Sequence, residues 1–321
     1  MDINNYKALF LEHLKSTIHI KEPKKLYEPI TYILNLGGKR LRPILTLMSC
    51  DLFEGDSKNA LDAALAIEMF HNFSLVHDDI MDNAPLRRGT KTVHEKWDIN
   101  TGILSGDAML VLTNQLFESY DSTLYKELMT LFNSTALKVC EGQQYDIDFE
   151  TKKDVSISDY IMMISYKTAV LVAASLKMGA IIAGVSASEA QKIYNYGLNL
   201  GIAFQLQDDY LDVFGEENFG KQHAGDIIEN KKTWLYLKAL NLADANDKNR
   251  LIKLYSIETK SDNEVDEVVF LFKKYDIPKY IKTEISNYTK KSFESCDQLS
   301  IKDSKKKILV DFGDKLMDRK V

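Results

Sequence analysis

The chain has 321 residues, of which 45% are hydrophobic and 27% charged, with 15 glycines and only 5 prolines. That apolar content supports a sizeable core and excludes a disordered or low-complexity chain. A net charge of −6 excludes a general nucleic-acid or anionic-membrane binder, so an anionic ligand has to be held by local lysine and arginine clusters or by metal ions.

The start, MDINNYKALF, has no basic segment followed by an apolar run, so no signal peptide is expected. Gly37-Gly38-Lys39-Arg40-Leu41-Arg42-Pro43 is a glycine-opened turn carrying three cations, a pattern suited to phosphate. Leu61, Leu65, Glu68/Met69 and Asn72/Phe73 recur at helical spacing, and the helix they predict ends in Asp78-Asp79-Ile80-Met81-Asp82. Arg87-Arg88-Gly89 follows just beyond. Breaks are expected at Glu54–Ser57, Gly89–Thr92, Gly102–Gly106, Thr151–Ser158, Gly184–Ser188 and Gly215–Gly225. Ser156 or Ser158 is expected to cap a helix entry. The apolar stretch Ala169–Val185 is interrupted by Lys177, Gly179 and Gly184, and reads as a buried helix rather than a membrane span.

Leu198, Ile202, Gln205/Leu206 and Asp209 predict a second helix ending in an aspartate motif, Asp208-Asp209-Tyr210-Leu211-Asp212. Lys221 and Lys232 taken alone are ordinary surface lysines, and the polar stretch Lys260–Glu267 is expected to be a loop. No proline occurs between Pro85 and Pro278, and the frequent turn signals of a sheet protein are missing there. The fold class is therefore all-α, with about ten or more helices in a bundle, and residues 1–321 read as a single domain. Cys50, Cys140 and Cys296 form no CxxC, which points away from disulfides or zinc and towards a reducing, cytoplasmic setting.

The two DDxxD copies carry the chemistry. Residues i and i+4 share a helix face, so Asp78 projects with Asp82 and Asp208 with Asp212. Paired carboxylates on a core helix need a compensating cation, and oxygen ligands select a hard one such as Mg²⁺. His71, Ser74, Asp78 and Asp82 lie on one polar stripe of an otherwise apolar helix. Lys167 is a scarce charge in an apolar segment, and Lys231-Lys232 adds further cations. Together these imply a multi-charged anion bridged by metal, and the apolar helices beneath (Met69, Phe70, Phe73, Phe204) imply that it carries a greasy tail.

These motifs resemble the trans-isoprenyl diphosphate synthases of the polyprenyl synthetase family, the farnesyl and geranylgeranyl diphosphate synthase group. The resemblance runs through GGKRLRP, HNFSLVHDDIMD, LRRGTKTVH, GDAML, EGQQYD, YKTA, FQLQDDYLDVFG and GK…D…KKT. It implies antiparallel helices around a deep central cavity, a homodimer, and head-to-tail condensation of isopentenyl diphosphate with an allylic diphosphate. It further implies three Mg²⁺ ions held by Asp78, Asp82 and Asp208, with Asp79, Asp209 and Asp212 in support. Arg87, Lys167, Lys221 and Lys231 would hold the allylic diphosphate. Gly38, Lys39, Arg42, His71 and Arg88 would hold isopentenyl diphosphate, and Thr168 and Gln205 would face the carbocation beside Lys167.

In such enzymes bulky residues just upstream of the first motif limit product length. Phe73 with Ser74, and Phe70 one turn lower, resemble the floor of enzymes making C20 (geranylgeranyl) or mixed C15 and C20 products. A longer-chain synthase and a non-catalytic regulatory subunit are the alternatives. The chain departs from the family pattern at Lys91, where proline is usual, and at Gln222-His223-Ala224.

Overall fold

The computed structural model describes residues 3–152, 154–215 and 223–318. It is all-α, as expected: among the described residues the only strands are β1 (Leu86–Arg87) and β2 (Thr90–Lys91). The helices are α1 (Ile3–Thr17), α2 (Lys24–Asn35), α3 (Leu41–Leu52), α4 (Leu61–Met81), α5 (Val93–Lys96), α6 (Ile99–Phe117), α7 (Ser122–Thr151) and α8 (Ile157–Ile164). They continue with α9 (Val170–Ile182), α10 (Ala187–Phe214), α11 (Gly225–Ile228), α12 (Trp234–Leu242), α13 (Ala245–Leu254), α14 (Asp262–Lys274), α15 (Ile277–Asp297) and α16 (Asp303–Met317). The chain divides into two compact units, Met1–Ser134 with Ala174–Gln191, and Thr135–Ala173 with Lys192–Val321.

The first unit is built on α4. Every residue from Ala63 to Phe70 is buried, which a helix shows only when neighbours enclose it on all sides. Each large apolar side chain there, such as Leu65 or Phe70, stabilises the fold by about 1.5–3 kcal/mol through burial. α3 is buried from Pro43 to Cys50. α9 approaches it so closely that a Cβ on Gly179 would lie 2.1 Å from the Thr46 carbonyl oxygen. The Ser49 hydroxyl donates to the Leu176 carbonyl across the same contact, at 2.6 Å.

The expected break at Gly102–Gly106 does not occur: both glycines lie inside α6. Their missing side chains let α4 press in, since a Cβ on Gly106 would meet His77 Nε2 at 2.2 Å and one on Gly102 would meet Ile80 Cδ1 at 2.9 Å. These glycines are packing surfaces, not helix stops. At Gly89 the expected break is a two-residue hairpin turn. Arg88 and Gly89 have φ of 53° and 76°, the type I′ geometry that matches strand twist.

The second unit gathers α8, the start of α9, most of α10 and α11–α16 around a core that includes Ile202, Leu206, Trp234, Leu235, Phe272 and Ile281. Between α8 and α9, Ser165–Ala169 forms a π-helical turn. α7 fits against that turn at Gly142, where a Cβ would stand 2.3 Å from the Lys167 amide nitrogen. Ser156 caps α8 in a capping box with Asp159, as one of the two expected serines.

The expected loop Lys260–Glu267 is corrected: α14 begins at Asp262, and Ser261 and Glu264 form a second capping box. The box overrides the segment's polarity by supplying partners for otherwise orphaned amides. Ile157–Ile182 is the stretch, among the described residues, long and apolar enough to cross a membrane, and 61% of its apolar 18-residue window is buried in protein. Ala173, Ala174, Leu176, Met178 and Ala180 are fully buried, matching the buried-helix reading of Ala169–Val185.

Candidate active site

In the first unit the GGKRLRP turn is shaped by three positive-φ residues, Gly37 (80°), Gly38 (112°) and Arg40 (50°). The turn sends Lys39 outward to solvent and Arg40 inward. Arg42, at the start of α3, reaches α4, its Nη1 lying 3.2 Å from His71 Nε2. Arg88, from the hairpin turn, donates to the Gly37 carbonyl. Its guanidinium covers Gly38 so closely that a Cβ there would lie 2.8 Å from Cζ. Gly38, Lys39, Arg42, His71 and Arg88 therefore belong to one surface of one unit. Burial first, then Arg42, Arg88, Arg87 and Arg40, hold the His71 imidazole well below its ordinary pKa. It is a neutral side chain among cations.

The first aspartate motif is divided by its helical face. Asp79 is fully buried and accepts from Arg87 Nε through both oxygens, at 2.8 and 2.9 Å, with Nη2 2.6 Å away. Asp78 is partly exposed and Asp82, at the C-cap of α4, is exposed. Asp79 thus fixes an arginine while the other two carboxylates reach towards solvent. Phe73, partly buried, packs on Phe70 (5.5 Å between centroids) and His77 (4.7 Å). Phe70 in turn meets Phe132 edge-on at 5.2 Å. The Ser74 hydroxyl is turned back to the His71 carbonyl, at 2.9 Å.

In the second unit a cavity of about 130 Å³ brings together Lys167, Thr168, Gln205, Asp209 and Lys231, lined on its apolar side by Met163 and Ile164. Lys167 and Thr168 sit in the π turn, a distortion frequent at functional sites. Lys167 Nζ pairs with Asp146 of α7 at 2.5 Å. Thr168 Oγ1 donates to Gln205 Oε1 (3.2 Å), and Gln205 Nε2 donates to Asp209 Oδ1 (3.3 Å). The Tyr160 hydroxyl donates to Asp209 Oδ2 at 2.5 Å. Four side chains on three elements thus form one chain of hydrogen bonds.

Asp209 is buried like Asp79, but among the described residues its hydrogen-bond partners are Tyr160 and Gln205 rather than a cation. Burial and then the charge of Asp226 push its carboxyl well above the usual range. Burial raises Asp212 as well, although its side chain accepts from the Asp226 amide at 3.0 Å. Burial and the neighbouring Asp212 push Asp226 up to about 6. Lys231 stands beside these acids, 2.6 Å from Glu229 and 3.9 Å from Asp226. Burial works against its charge, but these partners more than compensate and leave its pKa above the ordinary value.

Lys232 is not the ordinary surface lysine expected. Its ammonium caps the end of α7, donating to the carbonyls of Phe149 (2.7 Å), Glu150 (3.0 Å) and Lys152 (2.7 Å). Lys221 and Gln222 lie outside the described residues. Sequence reasoning gave no role to Asp146, Tyr160, Asp226 or the Arg40–Glu68 pair. Asp146 and Asp226 stood inside the matched EGQQYD and GK…D…KKT segments, which was the available signal; Tyr160 had none.

Among the described residues no three His, Cys, Asp or Glu side chains converge into a self-sufficient metal cage. The donor chemistry fits magnesium nonetheless, since that ion takes one or two carboxylates and completes its shell with water and phosphate oxygens. The crowded, burial-raised carboxylates at Asp209, Asp212 and Asp226 are an excess of negative charge that a hard cation relieves.

Residues 23–272 match the sequence profile of the polyprenyl synthetase family. Over 311 residues the chain is 37% identical to a short chain isoprenyl diphosphate synthase of Methanothermobacter thermautotrophicus, covering 95% of this chain and 94% of that protein. It superposes with a TM-score of 0.95 on the crystal structure of a geranylgeranyl pyrophosphate synthase, 50% identical, covering 100% of both chains. It also superposes with a TM-score of 0.85 on the geranylgeranyl pyrophosphate synthase of Corynebacterium glutamicum complexed with isoprenyl diphosphate and magnesium, 26% identical, covering 99% of this chain and 97% of that one. With its motifs in place and most of its length matched, the chain belongs to the polyprenyl synthetase family.

Proposed function

We propose that this prenyltransferase condenses isopentenyl diphosphate with allylic diphosphates to make geranylgeranyl diphosphate, with farnesyl diphosphate as intermediate or co-product. The observation that carries the reading is the cavity in which Lys167, Thr168, Gln205, Asp209 and Lys231 converge. The likeness to a geranylgeranyl pyrophosphate synthase at 50% identity supports the C20 product.

In this reading Lys39, Arg42, His71 and Arg88, with the close approach allowed by Gly38, bind isopentenyl diphosphate. Neutral His71 donates a hydrogen bond to the anion without adding charge. Asp78, Asp82, Asp208 and Asp212 supply oxygens to magnesium, probed most simply as three ions per site. Bound magnesium supplies charge neutralisation to the leaving diphosphate. Asp79 and Asp209 are positioning residues, the first for Arg87 and the second for Gln205. Arg87, Lys167 and Lys231, together with Lys221, bind the allylic diphosphate.

As the allylic C–O bond breaks, the developing cation needs oxygen dipoles and no water. Asp209 takes the amide NH₂ of Gln205 and so turns its Oε1 towards Thr168, where both oxygens serve that cation. The isopentenyl double bond then forms the new C–C bond, and the departing pyrophosphate accepts the proton lost. Phe73 on Phe70 forms the floor that ends growth, with Ser74 beside it.

The whole chain acts as one catalytic domain, in the cytoplasm and as a homodimer. The dimer reading is supported by the exposed apolar residues Ile103, Leu104 and Val111 on α6.

The test is a product assay with Mg²⁺, isopentenyl diphosphate and C5, C10 or C15 primers, read by mass spectrometry. A C20 product, lengthened in Phe73→Ala, is expected. Products of C25 or more from the unaltered protein would keep the chemistry and discard the floor. No condensation with any primer would leave a non-catalytic subunit.

A further inference from the structure

We propose that Glu68 is a positioning residue for isopentenyl diphosphate: by clamping Arg40 from α4, it holds the GGKRLRP turn in the shape that directs Lys39 outward and Arg42 onto His71. The proposal rests on the assignment of those residues to isopentenyl diphosphate made above.

Three observations carry it. Arg40 adopts a left-handed φ of 50°, a conformation that a non-glycine residue keeps only where its surroundings over-determine it. Those surroundings are unusually explicit. The Arg40 guanidinium donates to Glu68 Oε1 at 2.5 Å and also to the carbonyl of Leu34 in the last turn of α2, with both charged side chains almost wholly buried (2% and 4% exposed). Glu68 is itself fixed, because Asn72 Nδ2 donates to its backbone carbonyl (2.7 Å) and to its Oε1 (3.2 Å).

Position on α4 adds the second half of the argument. Glu68, His71 and Asn72 stand at i, i+3 and i+4, so one turn of one helix presents the clamp, the imidazole and the support of the clamp. Arg40–Glu68 and Arg42–His71 are two parallel links from the same turn to that helix, one buried and one at the ligand face. Loss of the first lets the left-handed backbone at residue 40 relax, which releases Lys39 and Arg42 from the positions it sets for them. Glu68 is also the carboxylate whose charge opposes the burial acting on both Arg42 and Arg88. It therefore permits three guanidiniums, Arg40, Arg42 and Arg88, to stand close together before any anion arrives.

A core ion pair with no tie to substrate would lower stability, or lower kcat for every substrate alike. The positioning role instead separates the two substrates. In Glu68→Gln and Arg40→Lys, steady-state kinetics with each substrate varied in turn should show KM for isopentenyl diphosphate raised about tenfold, with KM for the allylic diphosphate changed less than about twofold. Equal movement of both KM values, or an unchanged isopentenyl KM, overturns the proposal. Arg42→Ala is the reference. If it too leaves the isopentenyl KM unchanged, the ligand assignment has failed; if it raises that KM while Glu68→Gln does not, only the clamp has failed. Should Glu68→Gln not fold, Arg40→Lys decides by the same readout. If neither folds, the pair is a folding element and the proposal is overturned.

Discussion

The two aspartate motifs have the same spacing, and each buries its second carboxylate, yet they solve the cost of that burial differently. Asp79 is paired with Arg87, so its charge is answered within the protein. Asp209 is met by a tyrosine hydroxyl and an amide, which hydrogen-bond but do not neutralise, and Asp226 adds repulsion. The buried carboxylate of the first motif is answered by an arginine, whereas among the described residues that of the second is answered by neutral donors. Burial without a counter-charge is costly, so in the proposed reading a bound cation relieves that cost in the second unit.

The largest expected effect tests whether both motifs serve the chemistry. If the proposed metal role holds, Asp78→Ala and Asp208→Ala should each lower kcat by about a thousandfold or more, since each would remove oxygens that organise charge at the leaving group. Circular dichroism should remain helical. Retained turnover in either one would mean that its motif stands idle.

The next effect separates the buried carboxylates. At pH 7.5, Asp79→Asn should destabilise the protein by about 2 kcal/mol, since it strands a mostly buried guanidinium. Asp209→Asn should change stability by less than about 1 kcal/mol, because the charge it removes was already unfavourable. Denaturant unfolding of the two variants is the measurement, and equal losses would erase the distinction.

Tyr160→Phe sharpens it further. The change removes a neutral donor to Asp209 Oδ2, which should cost about 1–2 kcal/mol and lower kcat by about tenfold as Asp209, which still accepts from the Gln205 amide, is held less firmly. KM for isopentenyl diphosphate should not move.

The smallest effect is on pH dependence. Asp226 has its folded pKa raised from 3.8 to about 6, so the native protein binds more protons than the unfolded chain in that interval. Its contribution is fully present below pH 3.8 and is lost as pH rises through about 6. Magnesium should therefore raise the thermal midpoint more at pH 7.5 than at pH 5.5. Asp226→Asn should flatten that difference, and a difference that survives the substitution places its origin elsewhere.

What could be read from residue order follows from the same physics. Carboxylates and cations on apolar helices are costly, so DDxxD, GGKRLRP and Lys167 stood out and pointed to a metal-bridged anion with an apolar tail, while the reaction class came from the family resemblance. Spacing could place Asp78 with Asp82, but only a three-dimensional neighbour shows that Asp79 turns to Arg87. Adjacent Lys231 and Lys232 are alike in sequence; the end of α7 decides that one caps a helix and the other faces acids. Gly102 and Gly106 were misjudged because a glycine that stops a helix and one that admits a neighbour look identical in one dimension. Ser261-x-x-Glu264 has the spacing of a capping box, a signal that the reading of Lys260–Glu267 as a polar loop passed over. The Arg40–Glu68 clamp joins residues too far apart in the chain for any local rule to link them.

The π turn at Ser165–Ala169 makes the count of residues, and not only their identity, decide where Lys167 and Thr168 stand. Each residue advances an α-helix by about 100°, and this turn holds one residue more than the regular count. Removing a single residue there would shorten no loop. It would re-phase the helix, carrying Lys167 away from Asp146 and Thr168 away from Gln205 while leaving every one of those side chains in the protein.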